Sequence, residues 1–146
     1  MSLFYLAIAA GLLGGVFIGF NSPLASQISA RLGIVEGVFI VHFTGTLAAA
    51  LGLAVIRGGN MASSTSLPWY LWLAGMLGPL IVACASFAIP RVGAAATVGL
   101  LISGQLLVGV LADQFGWFGV TPRAIDPVRV IGLLVLGLGV FLIVKK

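Results

Sequence analysis

Few side chains in this sequence can do chemistry. Three acids, seven lysines and arginines, one histidine and one cysteine are spread over 146 residues. His42 is the natural candidate for coupling proton movement to another event, because imidazole changes charge near neutral pH. A neutral histidine bonded to a neighbouring helix is the alternative. Glu36 is a second coupling candidate, although its place at the start of an apolar run equally suits an interfacial carboxylate favoured by the helix dipole. Gln105 is the one large amide deep inside an apolar run. An unpaired amide in lipid costs several kcal/mol, so Gln105 must face other helices or water. Ser22, Ser26, Ser29, Thr46 and Thr97 complete the set of polar side chains that could line a substrate path. No paired carboxylates share a helix face, and no Ser, His and Asp stand at one depth. No metal-ligand set occurs, so neither enzyme activity nor a metal or other cofactor is expected. Cys84 has no partner for an intrachain disulfide. The basic residues are scattered and form no nucleic-acid patch, so the net charge of +4 reflects scarce acids.

These residues must be positioned by a chain that is 61% hydrophobic and 7% charged, with mean hydropathy +1.26. Soluble domains carry about 25% charge. The apolar runs are continuous, without the alternation a transmembrane barrel needs. The expectation is an all-α integral membrane protein, a five-helix bundle forming a single transmembrane domain over residues 1–146. Its spans fall at 3–20 extending toward 32, 35–56, 69–89, 92–112 and 128–144. Such lengths are close to the roughly 20 residues that cross a hydrocarbon core of about 30 Å. The opening Met-Ser-Leu-Phe-Tyr lacks a positive n-region and reads as the start of a retained span.

The stretch from Trp69 to Asp113 organises the rest. Two apolar runs flank Pro90 and Arg91, and Arg91 is the only charge before Asp113. An arginine at the bilayer centre costs about 2.5–3.5 kcal/mol, so Arg91 belongs at a water boundary. Pro90 disfavours helix at Ile89 and removes a donor, which predicts a tight hairpin turning at Pro90–Arg91. Asp113 to Pro127 then reads as a long loop. Arg57 to Pro68 reads as a flexible surface loop.

Within the spans, small residues keep to faces. Gly11, Gly15 and Gly19 have the small-xxx-small spacing that lets helices approach closely. If the first helix continues past Pro23, Ser22, Ser26 and Ser29 extend the same stripe. The stripe is either a packing groove or, in its polar half, the wall of a water-filled path. In the second span His42, Gly45, Thr46, Ala49 and Gly52 share a small, partly polar face. Pro79 should kink the third span. Cys84 and Ser86 there read as packing residues. In the fourth, Thr97, Leu101, Gly104, Gln105 and Val108 fall in one sector. Five spans put the N-terminus and the Arg57 and Arg123 loops on one side. Tyr5, Trp69, Tyr70, Trp72 and Trp117 also fall there, as an interfacial aromatic belt would. Arg57, Arg123 and Arg129 on that side face Arg31, Arg91, Lys145 and Lys146 on the other. The balance is too even to select one orientation.

Several segments resemble the YdcZ-like family of the drug/metabolite transporter (DMT) superfamily. They are Pro68-Trp69-Tyr70-Leu71-Trp72-Leu73-Ala74-Gly75, Ile89-Pro90-Arg91-Val92-Gly93-Ala94-Ala95, Ser103-Gly104-Gln105-Leu106 and Asp113-Gln114-Phe115-Gly116. Gln27 to Gly33 and Phe43-Thr44-Gly45-Thr46 are similar to it as well, so the resemblance covers nearly the whole chain. Two positions depart: Ser29 stands where the family usually has Asn, and His42 where it usually has Ser. His42 is therefore a speciality of this chain rather than a family feature. The resemblance implies a small multi-pass protein of the bacterial inner (plasma) membrane that exports small molecules. It also implies similarity to one half of a ten-helix transporter built from two inverted repeats, with substrate held near the midplane.

The expected function is small-molecule transport by a dimer in the lipid bilayer, antiparallel or with a paired homologous subunit. Its path would be lined by the serine stripe, the His42 face and Gln105. Gly11, Gly15, Gly19 and Gly45 would serve helix packing. The alternative is a non-transporting scaffold, or an accessory subunit of a heteromeric transporter. The residues name no substrate. The uncharged midplane favours neutral, amphipathic or weakly charged solutes.

Overall fold

The computed structural model describes residues 2–56 and 59–145. Arg57 and Lys146, counted above among the surface charges, lie outside the described residues. Five long helices follow one another: α1 (Ser2–Leu32), α2 (Ile34–Val55), α3 (Leu73–Val92), α4 (Ala94–Phe115) and α5 (Pro127–Val144). All five are long and apolar enough to cross a membrane. The chain divides between Pro90 and Arg91 into two compact units, the first built from α1, α2 and most of α3, the second from α4 and α5.

Several boundaries differ from the sequence expectation, each for a local reason, whereas α1 takes the expected extension past Phe20 and runs unbroken through Pro23 to Leu32. At 1.5 Å per residue it is about 46 Å long, more than a hydrocarbon core of about 30 Å requires. Pro23 lacks the N–H that would bond the Gly19 carbonyl, and Ser22 Oγ donates to the Ile18 carbonyl at 3.0 Å. Likewise Pro90 does not end α3, because its fixed φ suits a helix and the last turn continues to Val92. The break falls at Gly93, where φ is +90°, a conformation that glycine alone adopts without strain. Trp69–Trp72 form a tighter 3-10 turn, and the α-helix begins only at Leu73. α4 extends beyond Ala112, so Asp113, Gln114 and Phe115 are helical, and left-handed Gly116 caps it. The segment before Pro68 contains a 3-10 helix at Met61–Ser66 and is not a plain loop.

Among the described residues the buried set is small and nearly half polar: Ala25, Gly37, Ala85, Ala96, Ala112 and Val140 beside Ser22, Ser26, Ser29, Ser86 and Thr97. Large apolar side chains such as Leu12, Phe17, Leu51, Leu80 and Leu134 point outward, each more than half exposed. A water-soluble core has the opposite arrangement. Helices packed through small residues and clothed in large apolar ones match lipid as the surrounding solvent.

Candidate functional site: a polar seam in the first unit

The first unit has a seam where three helices meet. It starts at an elbow. Gly33 has φ +112°, donates its N–H to the Ser29 carbonyl at 2.9 Å, and accepts from the Gly37 N–H at 3.0 Å. The chain therefore reverses from α1 into α2 through a single non-helical residue. The reversal presses Gly37 onto Ser29. A Cβ on Gly37 would collide with the Ser29 hydroxyl and lie 2.9 Å from its Cα. Only a residue without a side chain allows that approach.

Ser29 then reaches α3, donating from Oγ to Ser86 Oγ at 3.0 Å in a buried hydrogen bond. Ser22 and Ser26 are buried on the same stripe of α1. His42 of α2 is half-buried. Its Nδ1–H donates to the Val38 carbonyl at 2.9 Å, one helical turn back. With the proton on Nδ1, the neutral ring leaves Nε2 as its acceptor. Nε2 faces α3, 3.0 Å from where a Cβ on Gly78 would stand. The seam thus places the ring Nε2 against a glycine that leaves it room.

The other expected site residues lie elsewhere. Thr46 is exposed and donates to the His42 carbonyl at 2.8 Å. Glu36 is in the first turn of α2, with its carboxylate folded over Gly33. Beside it Leu32, Val35, Phe39 and Ile40 line an apolar groove of about 560 Å³. Among the described residues of the first unit, nothing beyond their own helix backbone stands within 4 Å of a would-be Cβ on Gly11, Gly15, Gly19 or Gly45, so no other helix of that unit packs on them. In the second unit Thr97 is buried and donates to the Gly93 carbonyl at 2.8 Å. Gln105 is exposed and makes no hydrogen bond among the described residues. The single sector drawn for α4 thus holds one buried and one exposed polar group.

Ser29 and Ser86 are therefore brought together, with Gly37 beside Ser29 and His42 held against Gly78. Gly37 and Gly78 were missing from the sequence candidates, and Ser86 was assigned only to packing. Gly37 has a readable signal, four residues after Gly33 and one helical turn into α2. Ser86 has none, since its partner is 57 residues away.

A family described as "Putative inner membrane exporter, YdcZ" matches residues 6–142, which include parts of all five helices. The chain belongs to this family. The YdcZ resemblance read from Pro68–Gly75, Ile89–Ala95 and Ser103–Leu106 is thereby established, and with it the DMT superfamily. "Inner membrane protein YdcZ" of Escherichia coli strain K12 is 29% identical over 123 residues, covering 84% of this chain and 75% of that protein. No solved structure matches. This YdcZ-family chain is accordingly an all-α, multi-pass membrane protein.

Proposed function

We propose that this protein moves small, weakly charged or amphipathic molecules across the bacterial inner membrane. Two copies act together, each contributing five helices as one half of a DMT-type inverted-repeat transporter. The observation that carries this reading is Gln105, an amide exposed on an apolar helix with no partner among the described residues. Lipid cannot satisfy it; a substrate, water or a second copy can. An odd number of spans inverts the second half without further machinery, and the nearly even basic count lets a chain insert both ways round.

Roles follow residue by residue. Gln105 contacts solute. The His42–Thr46 face of α2 lines the path, and His42 Nε2 takes and releases the coupling proton. Glu36 is the interfacial alternative for that proton. Ser22, Ser26 and Ser29 belong to the path's inner wall, and Thr97 backs the α4 side. Gly11, Gly15, Gly19 and Gly45 let the second copy approach. The chain is not an enzyme in this reading.

The test is flux of amphipathic dyes in vesicles holding the purified chain. Gln105→Ala is expected to lower flux at unchanged protein level, and His42→Ala to remove its dependence on a pH gradient. Unchanged flux in Gln105→Ala overturns the solute role, and unchanged gradient dependence in His42→Ala overturns the coupling role. A second reading, a non-transporting accessory subunit, draws support from the buried Ser29–Ser86 bond, which needs no solute. That reading expects both variants to alter stability alone. A thiol label on a cysteine added after Lys146, in a Cys84→Ser background, separates the dimer forms. Labelling from both faces of the membrane supports the antiparallel pair, and strictly one-sided labelling overturns it.

A further inference from the structure

The second unit holds a charged cluster that the transport reading leaves unused. Asp113 lies near the end of α4, and Arg129 lies in the first turn of α5. Arg129 Nη1 donates to Asp113 Oδ2 at 3.3 Å, and both side chains are about one-third exposed. Its Nε stands 3.6 Å from Asp126 Oδ2. Asp126 Oδ1 meanwhile caps α5 by accepting from the Arg129 backbone N–H at 2.8 Å. The Arg123 backbone N–H donates to the Asp113 carbonyl at 2.7 Å, which ties the following loop to the end of α4. The patch therefore carries charges of both signs.

Below it, between α4 and α5, lies a groove of about 290 Å³. Leu106 and Val110 wall it on α4, and Leu133 walls it on α5. Leu106, Val110 and Asp113 follow helical spacing, so the groove runs about 10 Å along one face of α4. Gly132 forms its floor, and a Cβ there would meet nothing within 4 Å. Phe115 and Trp117 stack at 5.6 Å beside the same helix end, where a bilayer has its aromatic belt.

An apolar trough under a guanidinium and two carboxylates complements one kind of molecule: an amphiphile that carries both charges in its head. In chains that cross a bilayer, the molecule supplied at that depth is a phospholipid. Its phosphate can accept from the guanidinium, and its ammonium can donate to the carboxylates. An acyl chain can lie over Gly132. A purely anionic head would meet an arginine already answered by two carboxylates. We infer that the α4–α5 groove seats a zwitterionic phospholipid bearing a primary ammonium, held by Arg129, Asp113 and Asp126 over Gly132.

The inference does not depend on transport. The test titrates the delipidated full chain in detergent with phosphatidylethanolamine and, separately, with phosphatidylglycerol of the same acyl chains. Native mass spectrometry counts the bound lipid. The zwitterionic lipid is expected to bind about tenfold more tightly. Gly132→Phe, which fills the groove beside Arg129, should weaken that binding about tenfold and leave the anionic lipid unaffected. Leu106→Trp fills the groove from the other helix and should act alike should Gly132→Phe not fold. Equal affinity for the two lipids overturns the inference. So does undiminished phosphatidylethanolamine binding in a filled-groove variant whose helicity is intact.

Discussion

The two halves of α1 carry the same kind of small-residue stripe and meet opposite surroundings. Gly11, Gly15 and Gly19 have nothing within 4 Å of a would-be Cβ beyond their own helix backbone, among the described residues of the first unit. Ser22, Ser26 and Ser29 are buried, and Ser29 is bonded to α3. The difference arises at the far end of the helix. The Gly33 elbow folds α2 back against the serine half, and no described helix of the first unit packs on the glycine half. Small spacing alone therefore does not say which helix will use it. It says only that close approach is possible, and the nearest reversal of the chain decides where that approach occurs within one copy.

The comparison breaks most readily at Gly37. Replacing it with leucine forces a branched side chain into the Ser29 backbone, and overpacking of that kind costs about 3 kcal/mol. Gly37→Leu should lower the thermal unfolding midpoint in detergent more than any glycine change in the first half of α1. Equal midpoints for Gly37→Leu and Gly15→Leu would show that the two halves are equally packed.

Gly15→Leu probes the open half from the other direction. It should leave the unfolding midpoint of the isolated chain unchanged and weaken association of two copies about tenfold, measured by energy transfer between labelled chains in vesicles. Association unaffected by Gly15→Leu would place the second copy elsewhere. The smallest effect is expected at Ser29→Ala, which removes one buried hydrogen bond and leaves Ser86 without its donor, at a cost of about 1 kcal/mol. Such a loss should appear in the same unfolding measurement, and Ser29→Ala with Ser86→Ala together should cost less than the sum of the two single changes.

Much of the helix pattern is legible in the residues. The five spans are visible because each apolar run is long enough to cross a bilayer and because polar residues collect between runs. Their ends are less legible, and prolines are the reason. Pro90 reads as a stop and Pro23 as a place where the helix either ends or continues, yet each sits inside a helix. Proline forbids one hydrogen bond but fits the helical φ, and the following residues can continue the spiral. The true breaks are Gly33 and Gly93, whose positive φ is a backbone property that composition does not display. For the seam, the serine stripe of α1 and the small face around His42 follow from periodicity within single helices. That Ser29 would meet Ser86, and that His42 would lie against Gly78, does not.

Composition by itself dictates the solvent and the class. A chain with 7% charge and long apolar runs satisfies its backbone in lipid only by forming helices, and the glycines and serines mark the faces that can pack. Tertiary structure alone selects which marked face is used. The elbow at Gly33 turns one stripe inward and leaves its continuation open, and the α4–α5 reversal aligns Arg129 with Asp113 above an unfilled Gly132. The physical reason is that hydropathy acts on each residue separately, whereas a hydrogen bond, an ion pair or a groove needs two helices brought to one place.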